Sequence, residues 1–357
     1  MKSVLLLEDG TYFTGEAFGK AGETVGEIVF NTCMTGYQEI LTNPSYNGQI
    51  VAMTYPLIGN YGFNRYDNES DTTHVQGFIV KELSDTPTNW RCEITPEEYF
   101  VANGIVGIKG IDTRTLTKHI RSKGSMYCII STESGNIDLL LEKLMKKKME
   151  KKSPVMEVST KSPIHKPGRG KRVVVMDFGV KHSIIKSLEK INCDIYILPA
   201  SSSANEIMSY NPDGILLSNG PSDPCELPFV KSTVQELIGK KPMFGIGLGH
   251  QLLGLALGGK VSKLPFGHHG SNQPVRDYIK GRCYVTSQSH NYVLENDFSD
   301  DVLITHININ DNTVEGFKHK HYPILGVQYH PKAVSGHDDS SYVFDDFIEM
   351  MDGQPIV

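Results

Sequence analysis

No stretch of this 357-residue chain approaches the roughly 20 consecutive apolar residues that a bilayer-spanning helix requires. The opening MKSVLLLEDG has only four apolar residues before Glu8, too few for a signal-peptide core. A cytoplasmic protein with no membrane partner is therefore expected. Basic charge is not in surplus either: a net charge of −6 offers no concentrated positive face, so nucleic acid is not an expected partner. The six cysteines, at 33, 92, 128, 193, 225 and 283, form no CxxC pair and no framework spacing, which excludes a zinc ribbon or a thiol redox motif. They read as reduced thiols. A GxxxxGK[ST] nucleotide loop is missing, and so are internal repeats.

The length favours two domains. Residues 143–171 separate them: six lysines fall between 143 and 152, followed by a Ser/Pro/Gly-rich tract, the signature of a helix end running into a linker. The lysines read more simply as a solvated helix face than as an anionic docking patch. Residues 1–142 form a mixed α/β domain. Short β-type runs (Ser3–Leu7, Glu27–Asn31, Gln49–Thr54) precede a helical segment, Thr113–Lys123, with Asp112 or Thr113 as its cap. Residues 172–353 have a clearer rhythm. Val173–Met176, Asp194–Leu198, Gly214–Leu217 and Met243–Ile246 are short apolar strands, and helix-like segments follow the first three, which predicts a doubly wound parallel sheet. Further strands are expected at Tyr284–Thr286 and Leu325–Gln328.

Ligands of open α/β sheets bind beyond the carboxyl ends of the strands. That rule selects three turns: Ser218–Pro224, the glycines of PMFGIGLGHQ, and Gln328–Lys332. The alternate glycines 245, 247 and 249 do not form a dinucleotide loop, because the third glycine of that fingerprint is replaced by His250 or Leu252 according to where counting starts. They fit instead a strand-to-helix elbow of the GxCxG kind. There a cysteine faces the cleft, helix amides lower its pKa, and the amide of the next residue, Leu248, meets a developing oxyanion. A histidine from a later loop completes such a site, and His330 has that position. The apex residue, however, is Gly247. His268, His269 and His290 offer imidazoles, but adjacent histidines rarely bind one ion together, so no metal centre is expected. Cys225 and Cys283 lie at no elbow.

The chain resembles the small subunits of glutamine-dependent carbamoyl phosphate synthetase, whose second domain is a class I, triad-type glutamine amidotransferase. The segments LEDGTYFTGEAFG, GEIVFNTCMTGYQEILTNPSYNGQIVAMTYPLIGNYG and GIVGIKGIDTRTLTKHIRSKG carry the resemblance in the first domain. In the second, VVVMDFGVKHSII, NPDGILLSNGPSDP, FGIGLGHQLLGLALGGK, FGHHGSNQPV and GVQYHPKA follow the pattern in order. The resemblance implies a cysteine that attacks the amide of L-glutamine, releasing ammonia for a separate large subunit. That partner uses ATP, bicarbonate and Mg, so no cofactor is expected in this chain.

Several positions depart from that pattern. Gly247 stands at the nucleophile position, and Lys332 replaces the glutamate of HPE that would orient His330. Ser45, Gly220, Leu248 and Gln251 match positions that contact glutamine. Ser222, Ser289 and Asn291 replace a glycine, an asparagine and a glycine, and Tyr292 replaces phenylalanine. Alterations at this many points of one pocket point to inherited loss of glutaminase activity and a supporting role toward the large subunit. An active glutaminase altered at 247 and a non-catalytic glutamine-binding regulator are the other readings.

Overall fold

The computed structural model describes residues 1–150, 153–331 and 340–353. It contains two compact units: Met1–Lys152 with Pro265–Gly270, and Ser153–Leu264 with 271–357. The first is built on a closed barrel of seven strands in the spatial order Lys2–Leu7, Tyr12–Gly19, Val106–Lys109, Gly77–Ile79, Gln49–Met53, Glu23–Asn31 and Tyr127–Ser131. Glu23–Asn31, Gln49–Met53, Gly77–Ile79 and Val106–Lys109 run parallel, and the remaining pairs are antiparallel. Alternation decides which side chains fill it. Ile28, Ile50, Ala52, Ile79 and Ile108 share one core cluster with Leu5 and Leu7, while Val29, Val51, Met53, Phe78 and Val80 point the other way, into a second cluster. The helix Thr113–Lys123 forms as expected, and Asp112 is its cap, accepting from the Thr115 amide at 3.0 Å.

The second unit carries a ten-stranded sheet. Its parallel centre runs Asp194–Pro199, Arg172–Asp177, Gly214–Leu217, Met243–Ile246, Ile324–Val327, with antiparallel strands added at both ends. Both faces are covered, as the continuous apolar runs require. Val174, Met176, Ile215 and Leu217 pack with the helices Pro228–Leu237 and Leu248–Ala256. Val173, Val175, Leu216 and Ile246 pack on the other side, with the helices His182–Lys190 and Tyr342–Met351.

Residues 143–171 differ from the linker the composition suggests. The helix Ile137–Lys148 ends within the lysine run, as a helix end there requires, but the tract beyond it is not a plain linker: a short helix Pro154–Val158 follows, and Ile164–Lys166 adds an antiparallel strand to Asp194–Pro199. Backbone pairing at a sheet edge ordered a tract whose composition carries no periodic signal.

Behind the last parallel strand lies a buried polar cluster. Tyr342 donates to Asp277 Oδ2 at 2.9 Å, and its hydroxyl is 2.8 Å from His306 Nε2. The amides of Ile279 and Lys280 donate to Asp277 Oδ1 at 2.8 and 2.9 Å. Burial alone would raise the Asp277 pKa. The bonds from His306, the Lys280 amide and Tyr342 outweigh it and hold the carboxyl well below the usual carboxylate range. A carboxyl depressed in the folded state adds stability that is fully present above its unfolded value of 3.8 and is lost as the pH falls toward the folded value. The melting temperature should therefore drop steeply below about pH 4. Asp277→Asn should melt lower at neutral pH and show a flatter acid limb, which a calorimetric pH series checks.

Candidate functional site

The strand Met243–Ile246 ends at Gly247, and the helix Leu248–Ala256 starts immediately after it. Two of the three alternate glycines are there because strand and helix cross closely. A Cβ on Gly249 would overlap the Leu217 carbonyl, and one on Gly245 would sit 2.6 Å from the Gly249 carbonyl oxygen. Gly247 has a different reason. Its φ of 57° and ψ of −111° lie where side-chain-bearing residues are strained. Space is not the restriction: the nearest atom to a Cβ on Gly247 would be Asn219 Cβ at 3.5 Å, an ordinary contact. The elbow therefore keeps both the backbone conformation and the room that a nucleophile needs, without a side chain to use them.

The turn is held from three sides. The Gly247 amide donates to Val327 O at 2.9 Å, the Gly249 amide to Ser218 O at 3.0 Å, and the Gln251 amide to Gly247 O at 3.1 Å. The Gln251 side chain then reaches out of the helix, donating to Tyr292 O at 2.7 Å and to Gln328 Oε1 at 2.9 Å. This one side chain ties the elbow helix to the strand Arg282–Leu294 and to the segment leading into His330. Gly220 packs against the Leu248 side chain, and a Cβ there would overlap the Phe178 carbonyl. Its neighbour Asn219 is fixed by donating to Gly179 O at 2.8 Å and accepting from the Lys181 amide at 3.2 Å.

His330 is 5% exposed, and its amide donates to Ser287 O at 2.9 Å. Its Nε2 lies 2.8 Å from Ser289 Oγ. Nothing in the sequence pattern pointed to that pairing. Asn291 is buried in the same strand and Tyr292 is half-buried. Ser222 takes φ 92°, a left-handed value that glycine accepts freely and serine does not, and its buried hydroxyl has no hydrogen-bond partner among the described residues. Gly247, Leu248, Gln251, Gly220, Tyr292, Ser289 and His330 thus belong to one connected region of the second unit, with Ser222 two residues beyond Gly220. Ser45 lies in the first unit, in the turn Pro44–Tyr46, with its amide donating to Asn43 Oδ1 at 3.0 Å. Lys332 lies outside the described residues.

Sequence reasoning missed a buried acid. Glu315 is 0% exposed, accepts from Gln288 Nε2 at 2.9 Å and Asn308 Nδ2 at 3.3 Å, and receives the Gln328 amide on its carbonyl. A single glutamate in VEGF carries no motif, so only the fold reveals it. His250, directly after the elbow, is core: burial pushes its pKa down to about 3, and its ring packs 5.0 Å from Phe317. Neither exposed thiol lies at a strand-to-helix elbow. Burial and the adjacent Asp223 push the Cys225 pKa up, the opposite of activation, and Cys283 lies on an outer stretch of strand.

Backbone strain yields two stability predictions. Gly247→Cys forces a side chain into a region costing about 1–3 kcal/mol, so the melting temperature should fall by about 2–6 °C. Ser222→Gly relieves about 1–2 kcal/mol of left-handed strain against a smaller chain-entropy cost, and should raise melting by about 2 °C. Thermal unfolding followed by circular dichroism checks both signs.

Comparison with known proteins agrees with this geometry. Residues 5–130 match the family model for the carbamoyl-phosphate synthase small chain, CPSase domain, and residues 174–350 match glutamine amidotransferase class-I. The carbamoyl phosphate synthase small chain of Listeria monocytogenes is 49% identical over 355 residues, covering 99% of this chain and 98% of the relative. That of Clostridium acetobutylicum is 49% identical over 357 residues, covering 98% and 100%. The carbamoyl phosphate synthase pyrimidine-specific small chain of Bacillus subtilis is 48% identical over 352 residues, covering 99% and 96%. With a barrel-based first unit, a doubly wound second unit and relatives matched along nearly their whole length, the chain belongs to the carbamoyl phosphate synthase small-chain family.

Proposed function

We propose that this chain is the small subunit of a glutamine-dependent carbamoyl phosphate synthase and that its own glutaminase site is silent. The observation that carries the reading is the elbow at Gly247, which retains an amidotransferase turn and the clearance for a side chain but offers hydrogen where sulfur must attack. Without a nucleophile no thioester forms, and deleting such a group costs on the order of a million-fold in rate. Lys332 in place of the orienting glutamate removes a second part of the triad, since an ammonium cannot accept the imidazole N–H.

In this reading the chain supports a large subunit that binds ATP, bicarbonate and Mg and draws on free ammonia. It contributes no cofactor of its own, and the carbamoyl phosphate enters arginine or pyrimidine synthesis in the cytoplasm. The pyrimidine-specific name of the Bacillus subtilis relative favours the second of these routes. Among the described residues no helix is long and apolar enough to cross a membrane. Gly220, Ser222, Leu248, Gln251, Ser289, Asn291 and Tyr292 are assigned to the inherited glutamine pocket, and Ser45 of the first unit is assigned to glutamine by the resemblance alone.

Glutamate release from glutamine, measured with the large subunit present, tests the proposal. The chain as it stands should release none above background, while ammonia should support carbamoyl phosphate formation. Gly247→Cys combined with Lys332→Glu should restore measurable release if the remaining pocket is intact. Turnover of glutamine by the unaltered chain would overturn the reading in favour of an active glutaminase, and saturable glutamine binding in the absence of the large subunit would favour a regulator.

A further inference from the structure

We propose that Ser289 withholds the His330 imidazole from the elbow, so that the missing thiol is not the only lock on this site. The inference rests on the reading of Gly247 as a vacated nucleophile position. Two nitrogens belong to the ring, and they are placed differently. Nδ1 is buried, whereas Nε2 faces the half-exposed Ser289, whose Oγ lies 2.8 Å away. The nitrogen on the accessible side is therefore the one already engaged. Either tautomer gives the same result. With the proton on Nδ1, the serine hydroxyl donates to the Nε2 lone pair; with the proton on Nε2, the ring donates to the serine oxygen. In both cases a group arriving at position 247 finds Nε2 occupied.

The surroundings hold this pair rigid beside the elbow. The His330 amide is bonded to Ser287 O, two residues before Ser289 and on the same face of its strand. Gln251, four residues after Gly247, bonds both Tyr292 O, three residues beyond Ser289, and Gln328, two residues before His330. A Cβ at Gly247 would lie 3.8 Å from Gln328 O. Elbow, serine strand and histidine segment are thus fastened by one side chain, and His330 Nε2 is held against Ser289 within that frame. Ser289 is accordingly a positioning residue acting through His330.

The test places a thiol at the apex of the full-length chain as Gly247→Cys and follows its alkylation by iodoacetamide. In that reaction the thiolate sulfur displaces iodide from carbon, and the thiol proton is lost to the imidazole or to water. Peptide mass spectrometry separates the introduced thiol from the six native cysteines. With Ser289 present, the introduced thiol should titrate like an ordinary one. Adding Ser289→Ala should move the alkylation profile to lower pH and raise the rate at pH 7 about tenfold, as expected when an imidazole becomes free to pair with the thiol. Ser289→Thr, which keeps the hydroxyl, should behave like the parent, while Ser289→Val, which has the shape of threonine without the hydroxyl, should behave like Ser289→Ala. His330→Ala should abolish the gain. Superimposable profiles with and without the hydroxyl, or a gain that survives His330→Ala, would overturn the proposal. Glutamine hydrolysis by the unaltered chain would instead overturn the functional reading while leaving the alkylation result intact.

Discussion

The second unit depends on how closely one helix can approach two strands. Leu248–Ala256 starts directly from the strand Met243–Ile246 and crosses the neighbouring strand Gly214–Leu217 so tightly that the Leu217 carbonyl occupies the space a Gly249 side chain would need. That crossing fixes where the helix amides point, hence where an anion or a developing oxyanion is favoured. It also determines which helix face carries Gln251 toward the later strands. Because the requirement is met by backbone and by two hydrogen-only positions, it is indifferent to the residue at the apex.

Two serines of the candidate site bear differently on stability. Ser222 adopts a left-handed conformation that glycine accepts more freely and buries a hydroxyl that finds no partner among the described residues, a local conflict that costs stability. Ser289 lies against His330 and gives the buried imidazole a polar contact within its own fold. One alteration leaves strain and the other satisfies a buried group.

The parallel strands of the second unit were legible in the sequence because they are buried on both faces and read as short apolar runs. Arg172–Asp177, Asp194–Pro199, Gly214–Leu217 and Met243–Ile246 match their expected positions to within a residue or two. The elements within 143–171 were not legible, because Ile164–Lys166 is exposed at all three positions and owes its strand to pairing rather than to periodicity. In the site, Gly247 and Leu248 were legible from local spacing, and Gln251 from the family resemblance. The Ser289 to His330 bond was not, since 41 residues separate the two and only sheet register brings them together. The burial of Glu315 was hidden for the same reason: the Gln288 and Asn308 side chains that donate to it come from strands that meet it only in the folded sheet.

Closure of the seven-stranded barrel has its own consequence. A sheet that curls back on itself leaves no row of unsatisfied N–H and C=O groups along a rim strand. A second polypeptide cannot lengthen that sheet by adding a strand, so whatever docks on the barrel must be read through side chains and connecting loops. Specificity of assembly on that unit is then a matter of surface shape and charge, which a few substitutions in loops can retune without disturbing the pairing of a single strand.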